Sequence, residues 1–312
     1  MKLRIALAAL AVSAAAVLVA APASAVPNMS LVSAVSAVDS TAEKSALASC
    51  PTGTRVLGGG GFISGGNRQV SFTRLQALGS SDDFTASAAE IGAYGSAWQV
   101  HAYAICGTAP AGLEYVSYLT LSDSSASKSA TATCPAGKQL LSTGARVLNG
   151  GGRVIINSSI PAAGLASTTS TAYEAQGGFA GNWSLYSYGV CANPLPGLQL
   201  VSALVGPDST DDVVGASCPV GKFTHGLGAT MSTPAGQALY GGLYPSGALD
   251  QTVAVAMEDA DGYAGNWSTR VYAICASCSG GDGGPHGRPA VTGGCRQPAA
   301  DLPHPRTSIY GG

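Results

Sequence analysis

Cys134-Pro135-Ala136-Gly137-Lys138 opens, and Trp183-Ser184-Leu185-Tyr186-Ser187-Tyr188-Gly189-Val190-Cys191 closes, a unit that the chain contains three times. The other copies run from Cys50-Pro51-Thr52-Gly53 to Trp98 and Cys106, and from Cys218-Pro219-Val220-Gly221 to Trp267 and Cys275. The first cysteines are 84 and 84 residues apart and the second ones 85 and 84. A period this long, with at most one inserted residue, means three copies of one structural unit. Equivalent units close equivalent loops, so the expected bridges are Cys50 to Cys106, Cys134 to Cys191 and Cys218 to Cys275. Each closes a loop of nearly sixty residues, a constraint on the unfolded chain worth roughly 4 kcal/mol. Cys278 and Cys295 have no counterpart; they pair with each other or stay free for an intermolecular bond.

The start of the chain assigns the compartment. Lys2 and Arg4 precede an uncharged Ala/Leu/Val-rich run from Ile5 to Ala20, and Ala23-Ser24-Ala25 is a small-x-small cleavage site. That is a secretory signal peptide over 1–25, not a membrane span, and no other stretch is apolar for long enough to cross a bilayer. Eight cysteines in an exported chain read as a disulfide framework, not as metal ligands. The repeats then occupy 26–112, 113–197 and 198–278, followed by a Gly/Pro-rich segment, 279–312, expected to be disordered.

Charged residues make up 10% of the chain, and 15 basic against 17 acidic side chains leave a net charge of −2. No basic field is present to hold nucleic acid. Within each unit apolar residues alternate at the strand period, as in Leu113 to Thr120, Arg153 to Asn157, Gln251 to Ala256 and Trp267 to Tyr272. The pattern predicts about six strands per unit, no amphipathic helix and an all-β fold. In each last strand Trp98 and Cys106 share one face while Tyr103 and Ile105 share the other, with Trp183/Cys191 against Tyr188/Val190 and Trp267/Cys275 against Tyr272/Ile274 in the later copies. Apolar residues on both faces place Tyr103, Tyr188 and Tyr272 between units, giving one globule of pseudo-threefold, β-prism-like symmetry; the alternative is three tandem β-sandwich domains. Ala-Gly-Asn-Trp at Ala180 and Ala264 predicts tight hairpins with left-handed Gly-Asn pairs, and Gly60, Gly144 and Gly228 mark a bulge or a close backbone approach.

Cys-Pro-Ala-Gly-Lys at Cys134, Cys-Pro-Val-Gly-Lys at Cys218, the run Gly58 to Gly61, and Trp-x4-Tyr-Ala-Ile-Cys at Trp98 and Trp267 resemble a repeat of exported bacterial proteins of unknown function, over most of 31–276. A threefold set of disulfide-linked β units opening with Cys-Pro-x-Gly is also similar in outline to vitelline membrane outer layer proteins, whose fold is a β-prism. The first resemblance implies a secreted non-catalytic protein and transfers no functional residues.

Polar positions common to all units are where shared chemistry would sit. Glu90, Glu174 and Glu258 are 84 residues apart; they are either ligand carboxylates or partners of the opening cations, Glu174 with Lys138, Glu258 with Lys222 and Glu90 with Arg55. Asp39, Asp123 and Asp208, each followed by Ser, read as Asx turns. Trp98, Trp183 and Trp267 sit beside the disulfides and read as core, with sugar stacking as the other possibility. Tyr94, Phe179 and Tyr263 beside the hairpin are the candidate exposed aromatics for a sugar. Asp259-Ala260-Asp261-Gly262 has a fragment of a calcium loop without the remaining ligands, so no metal site and no cofactor is assigned.

Catalysis has little material. His101 and His225 occupy non-equivalent positions, and no nucleophile elbow, zinc helix or phosphate loop is present. The reading is a secreted, non-enzymatic, extracellular structural or surface-associated binding protein, monomeric, not membrane-inserted, with a cell-surface or extracellular glycan as its partner class. The alternatives are a multivalent lectin-like module and a carboxylate-dependent hydrolase.

Overall fold

The computed structural model describes residues 26–232 and 236–277. The expected signal peptide (1–25), Cys278, Cys295 and the segment 279–312 lie outside the described residues. Six strands form in each repeat. The first contains β1 (Ser30–Val35), β2 (Glu43–Ser49), β3 (Arg55–Ser64), β4 (Val70–Leu78), β5 (Asp83–Glu90) and β6 (Gln99–Gly107). The second contains β7 (Glu114–Leu119), β8 (Ser127–Thr133), β9 (Gln139–Leu148), β10 (Val154–Pro161), β11 (Ser167–Glu174) and β12 (Ser184–Ala192). The third contains β13 (Gln199–Asp208), β14 (Asp212–Ser217), β15 (Lys222–Ser232), β16 (Ala238–Pro245), β17 (Gln251–Glu258) and β18 (Trp267–Ser277). A single 3-10 turn, Gly151–Arg153, is the only helix among the described residues.

The strands assemble into three six-stranded antiparallel sheets, and no sheet belongs to one repeat. Sheet I runs β1-β6-β3-β16-β17-β14, sheet II β7-β12-β9-β4-β5-β2, and sheet III β13-β18-β15-β10-β11-β8. Each therefore joins the first, sixth and third strands of one repeat to the fourth, fifth and second of another. The seams are short ladders: Gly61 and Phe62 face Leu243 and Gly242, Ala145 and Arg146 face Leu75 and Arg74, and Ala229 and Thr230 face Ser159 and Ser158. Separate sandwiches in a row would contain no such seams.

The disulfides form at the expected pairs, with sequence separations of 56, 57 and 57. Cys50 follows β2 of sheet II and Cys106 lies in β6 of sheet I, so this bridge ties two sheets together. Cys134–Cys191 ties sheet III to sheet II, and Cys218–Cys275 ties sheet I to sheet III. Every pair of sheets thus carries one covalent link.

Inside, one cluster drawn from all repeats contains Trp98, Trp183 and Trp267, each at most 1% exposed. The even-numbered residues of β6, Val100, Ala102, Ala104 and Cys106, point into it. The expectation for the opposite face is corrected. Tyr103, Tyr188 and Tyr272 are half-buried and lie on the outer faces of the sheets, not between units. Their neighbours are rings on the same surface: Tyr186 stacks on Tyr188 with centroids 5.0 Å apart, and Tyr103 meets His101 and Tyr244. Hydrogen-bonded seams and the shared core join the repeats, while each disulfide, formed within one repeat, ties two sheets together. The contact of Tyr103 with Tyr244, between the first and third repeats, lies on the outer surface.

Gly60, Gly144 and Gly228 sit where the seams form. A Cβ added to them would lie 2.0, 2.6 and 2.4 Å from the carbonyl oxygens of Leu243, Leu75 and Ser159, all on the fourth strand of another repeat. Close approach of backbone from a neighbouring repeat is what requires glycine here. A second trio converges nearby: an added Cβ on Gly58 would sit 2.5 Å from Ser142 Oγ, and one on Gly226 2.4 Å from Ser142 Cβ. There is space for one side chain among three equivalent positions, and Ser142 provides it.

Beside that point Leu57, Leu141 and His225 occupy equivalent places, all 0% exposed. His225 Nδ1 lies 2.9 Å from the Phe223 carbonyl, while Nε2 has no partner among the described residues. Burial pushes its pKa down to about 4. The unfolded chain, with an ordinary value near 6.5, binds this proton first, so stability is complete above about pH 6.5 and falls as pH drops toward about 4. His225→Leu should flatten that acid limb in urea titrations between pH 7 and 4; an unchanged limb would show that another group causes it. Gly144→Ala should cost about 1–3 kcal/mol by overpacking the seam, whereas Gly92→Ala, with no atom within 4 Å of the added carbon, should stay within about 0.5 kcal/mol. Chemical denaturation of both variants checks the contrast.

Candidate functional site

Each shared glutamate closes its own hairpin. Trp98 Nε1 donates to Glu90 Oε1 at 3.3 Å and the Tyr94 amide to Oε2 at 3.0 Å. The second repeat repeats this with Trp183 and Phe179 on Glu174, at 3.2 and 2.9 Å. In the third, Trp267 and Tyr263 hold Glu258, at 3.4 and 3.1 Å. One carboxylate thus satisfies a buried indole and orders the loop that follows its strand. Pairing with the opening cations is overturned: Arg55 binds Asp82, Lys138 binds Glu114, and Lys222 donates to the Gly197 carbonyl and Gln199. In each case the cation reaches a residue of a neighbouring strand end before it could reach the hairpin.

Tyr94, Phe179 and Tyr263 are only half-exposed and pack against the main core. Left-handed backbone falls on Gly178 and Gly262, at φ of +67° and +77°, not on the Gly-Asn pairs. The turn is therefore made before the aromatic residue, and Gly181 and Gly265 lie against its ring. The buried tryptophans have no face open to a sugar.

Register across strands reveals a further set that the repeat spacing does not show. Lys44, Lys128 and Asp212 face Ala88, Ala172 and Ala256 on the fifth strands, so they are equivalent. Lys44 binds Asp39 and lies 5.0 Å over the Trp98 ring. Lys128 binds Asp123 and lies 5.0 Å over Trp183. The lysine holds the Asp39 carboxyl down at about 2 and likewise lowers that of Asp123. The Asx turns form as expected: the amides of Thr41, Ser125 and Thr210 each donate to their Asp at 2.9 Å. In the third repeat a carboxylate replaces the ammonium. Asp212 is 2% exposed, its Oδ2 has no partner among the described residues, and burial, with Asp208 and Asp211 adding to it, raises its pKa.

Burial, with Asp261 on the same turn adding to it, pushes the Asp259 carboxyl up to about 6. Among the described residues no group of three or more His, Cys, Asp or Glu side chains is placed to hold a metal ion. The void at the centre, lined by residues of all repeats including Leu75, Gly144, Ile156 and Tyr240, measures about 10 Å³ and has room for a water at most. Neither Asp212 nor the Asp259–Asp261 pair lines it.

The outer faces differ where the interior repeats. Across the middle of sheet I the outward row is Val35, His101, Phe62, Gly242, Val255 and Val213. Across sheet III it is Leu204, Arg270, Thr230, Ser158, Thr171 and Ser129. Across sheet II it is Leu119, Tyr186, Arg146, Arg74, Ser87 and Ser45. Equivalent positions are thus apolar and aromatic, hydroxylic, or basic. No protein-family model matches the chain, and no match was found among the curated proteins.

Asp212→Lys should restore the ammonium that the other repeats place between Asp and Trp. Relief of a buried, partnerless carboxylate oxygen is worth about 1–3 kcal/mol, and at this size that is a gain of roughly 2–10 °C in Tm. Thermal unfolding at pH 7 checks it; a lower Tm would show that the third repeat's shorter turn keeps the lysine from Asp208.

Proposed function

We propose that this is a secreted, non-catalytic protein that acts outside the cell by binding at a surface or matrix, as a monomer with β-prism-like pseudo-threefold symmetry. The mature chain begins near Val26, where the signal-peptide reading ends. Inter-sheet disulfides suit the oxidising environment this requires. One observation carries the reading: the polar residues common to all repeats are engaged by the fold's own contacts. Both oxygens of Glu90, Glu174 and Glu258 accept hydrogen bonds from their own hairpins, and Asp39 and Asp123 hold buried lysines. A threefold lectin would keep such groups for its ligand. A glycoside hydrolase would set two carboxylates across a cleft, whereas Asp259 and Asp261 lie two residues apart on one turn. Contact with an extracellular polymer is left to the outer faces.

Co-sedimentation with washed, insoluble cell-wall polysaccharide tests this. The mature protein should pellet with the polymer and release no reducing sugar. Release of sugar would establish the hydrolase. Glycan-array binding abolished by Tyr263→Ala would establish the repeat-based lectin instead.

A further inference from the structure

The middle of sheet II's outer face carries a charge arrangement that the fold does not need. Arg74 on β4 and Arg146 on β9 are direct cross-strand partners at the seam between the first two repeats. Like charges directly opposite each other destabilise a sheet, and among the described residues neither guanidinium forms a salt bridge. Arg74 Nε donates to Gln76 at 2.7 Å; burial, and then Arg146, weaken its hold on its proton. The corresponding seam pairs are Phe62 with Gly242 in sheet I and Thr230 with Ser158 in sheet III. Neutral pairs therefore serve this position twice, and the basic pair carries an electrostatic cost that they avoid.

Rings adjoin the pair. Tyr186 is the cross-strand partner of Arg146 on the next strand, and Tyr188, two residues on, faces the same way. The two rings stack at an interplanar angle of 22° and remain half-exposed. Arg74, Arg146 and Tyr186 lie on successive strands, so the row spans about 10 Å at the usual strand spacing. The surface is open, so binding here favours a long repeating polymer that engages by many weak contacts.

We propose that this face binds a carboxylated polysaccharide, the guanidinium pair receiving the carboxylate of one sugar and the tyrosines packing against the adjoining ring. Planar guanidinium forks match carboxylates in a bidentate manner, and an aromatic face presents the apolar surface that a sugar ring can cover. An anion between the arginines removes the repulsion that the free protein bears, so the site is poised for its ligand. The inference rests on the extracellular-binding reading and names the surface and the ligand class for it.

The test measures binding of the mature protein to polygalacturonate at low and high salt, with neutral dextran and polyglutamate as comparisons. The informative variant is Arg74→Ser with Arg146→Thr, which installs the pair that sheet III already contains at this seam and so preserves folding; circular dichroism checks that. Saturable binding of polygalacturonate, weakened at high salt, absent for dextran and at least tenfold weaker for the double variant, is expected. Tyr186→Ser should weaken polygalacturonate binding while leaving the slight affinity for polyglutamate unchanged. Equal binding of polyglutamate would overturn the sugar part of the assignment, and undiminished binding by the double variant would overturn the site. A wild-type protein that pellets with cell-wall polysaccharide yet ignores polygalacturonate would overturn this site and leave the extracellular-binding reading standing.

Discussion

The backbone hydrogen bonds between the third strand of one repeat and the fourth strand of another hold the structure together. Each seam is only a few residues long, yet without it every sheet would divide into two three-stranded halves with new exposed edges. Such edges are unpaired donors and acceptors, which proteins avoid leaving open. The seam in turn requires that no side chain stand between the strands, which explains glycine at Gly60, Gly144 and Gly228. Because the halves of each sheet come from different repeats, backbone pairing, the shared core and the disulfides all act in the same sense. No repeat completes a sheet alone.

Much of this was legible in the chain. The cysteine spacing gave the bridges because equivalent loops must close equivalently, and alternation gave the strands because side-chain direction has a period of two. Trp98, Trp183 and Trp267 read as core from sharing a face with cysteine, and they are core. The partner of each strand was not legible. Periodicity states which face is apolar and is silent about which strand lies alongside, so it places Tyr103, Tyr188 and Tyr272 between units although they stand on outer surfaces. For the same reason Arg74 and Arg146, in different repeats, showed no sign of being neighbours.

The site residues divide along a similar line. Spacing identifies Glu90, Glu174 and Glu258 but not their partners, because the cation at the opening turn of each repeat is not the nearest donor in space. The hairpin's own indole and amide are closer, and they come from the residues immediately following. Equivalence of Lys44, Lys128 and Asp212 was hidden by the turn before them, which is one residue shorter in the third repeat than in the first. Register across the fifth strand recovers it. His225 in a leucine's place was visible as a non-repeating histidine, while its complete burial depends on the convergence of three bulged strands.

The three-way meeting at Gly58, Ser142 and Gly226 has a wider meaning. Three identical subunits assembled into such a shape would have to place the same residue at all three points, and a serine at each would not fit. One continuous chain escapes that rule, since each copy can carry a different residue at the same address. The mixed set of one serine and two glycines is thus a mark of covalent linkage between repeats, and so is a histidine beside two leucines. The same freedom extends outward, where a homotrimer could offer only three copies of one face and this chain presents three unlike ones, able to orient a single molecule between different surroundings.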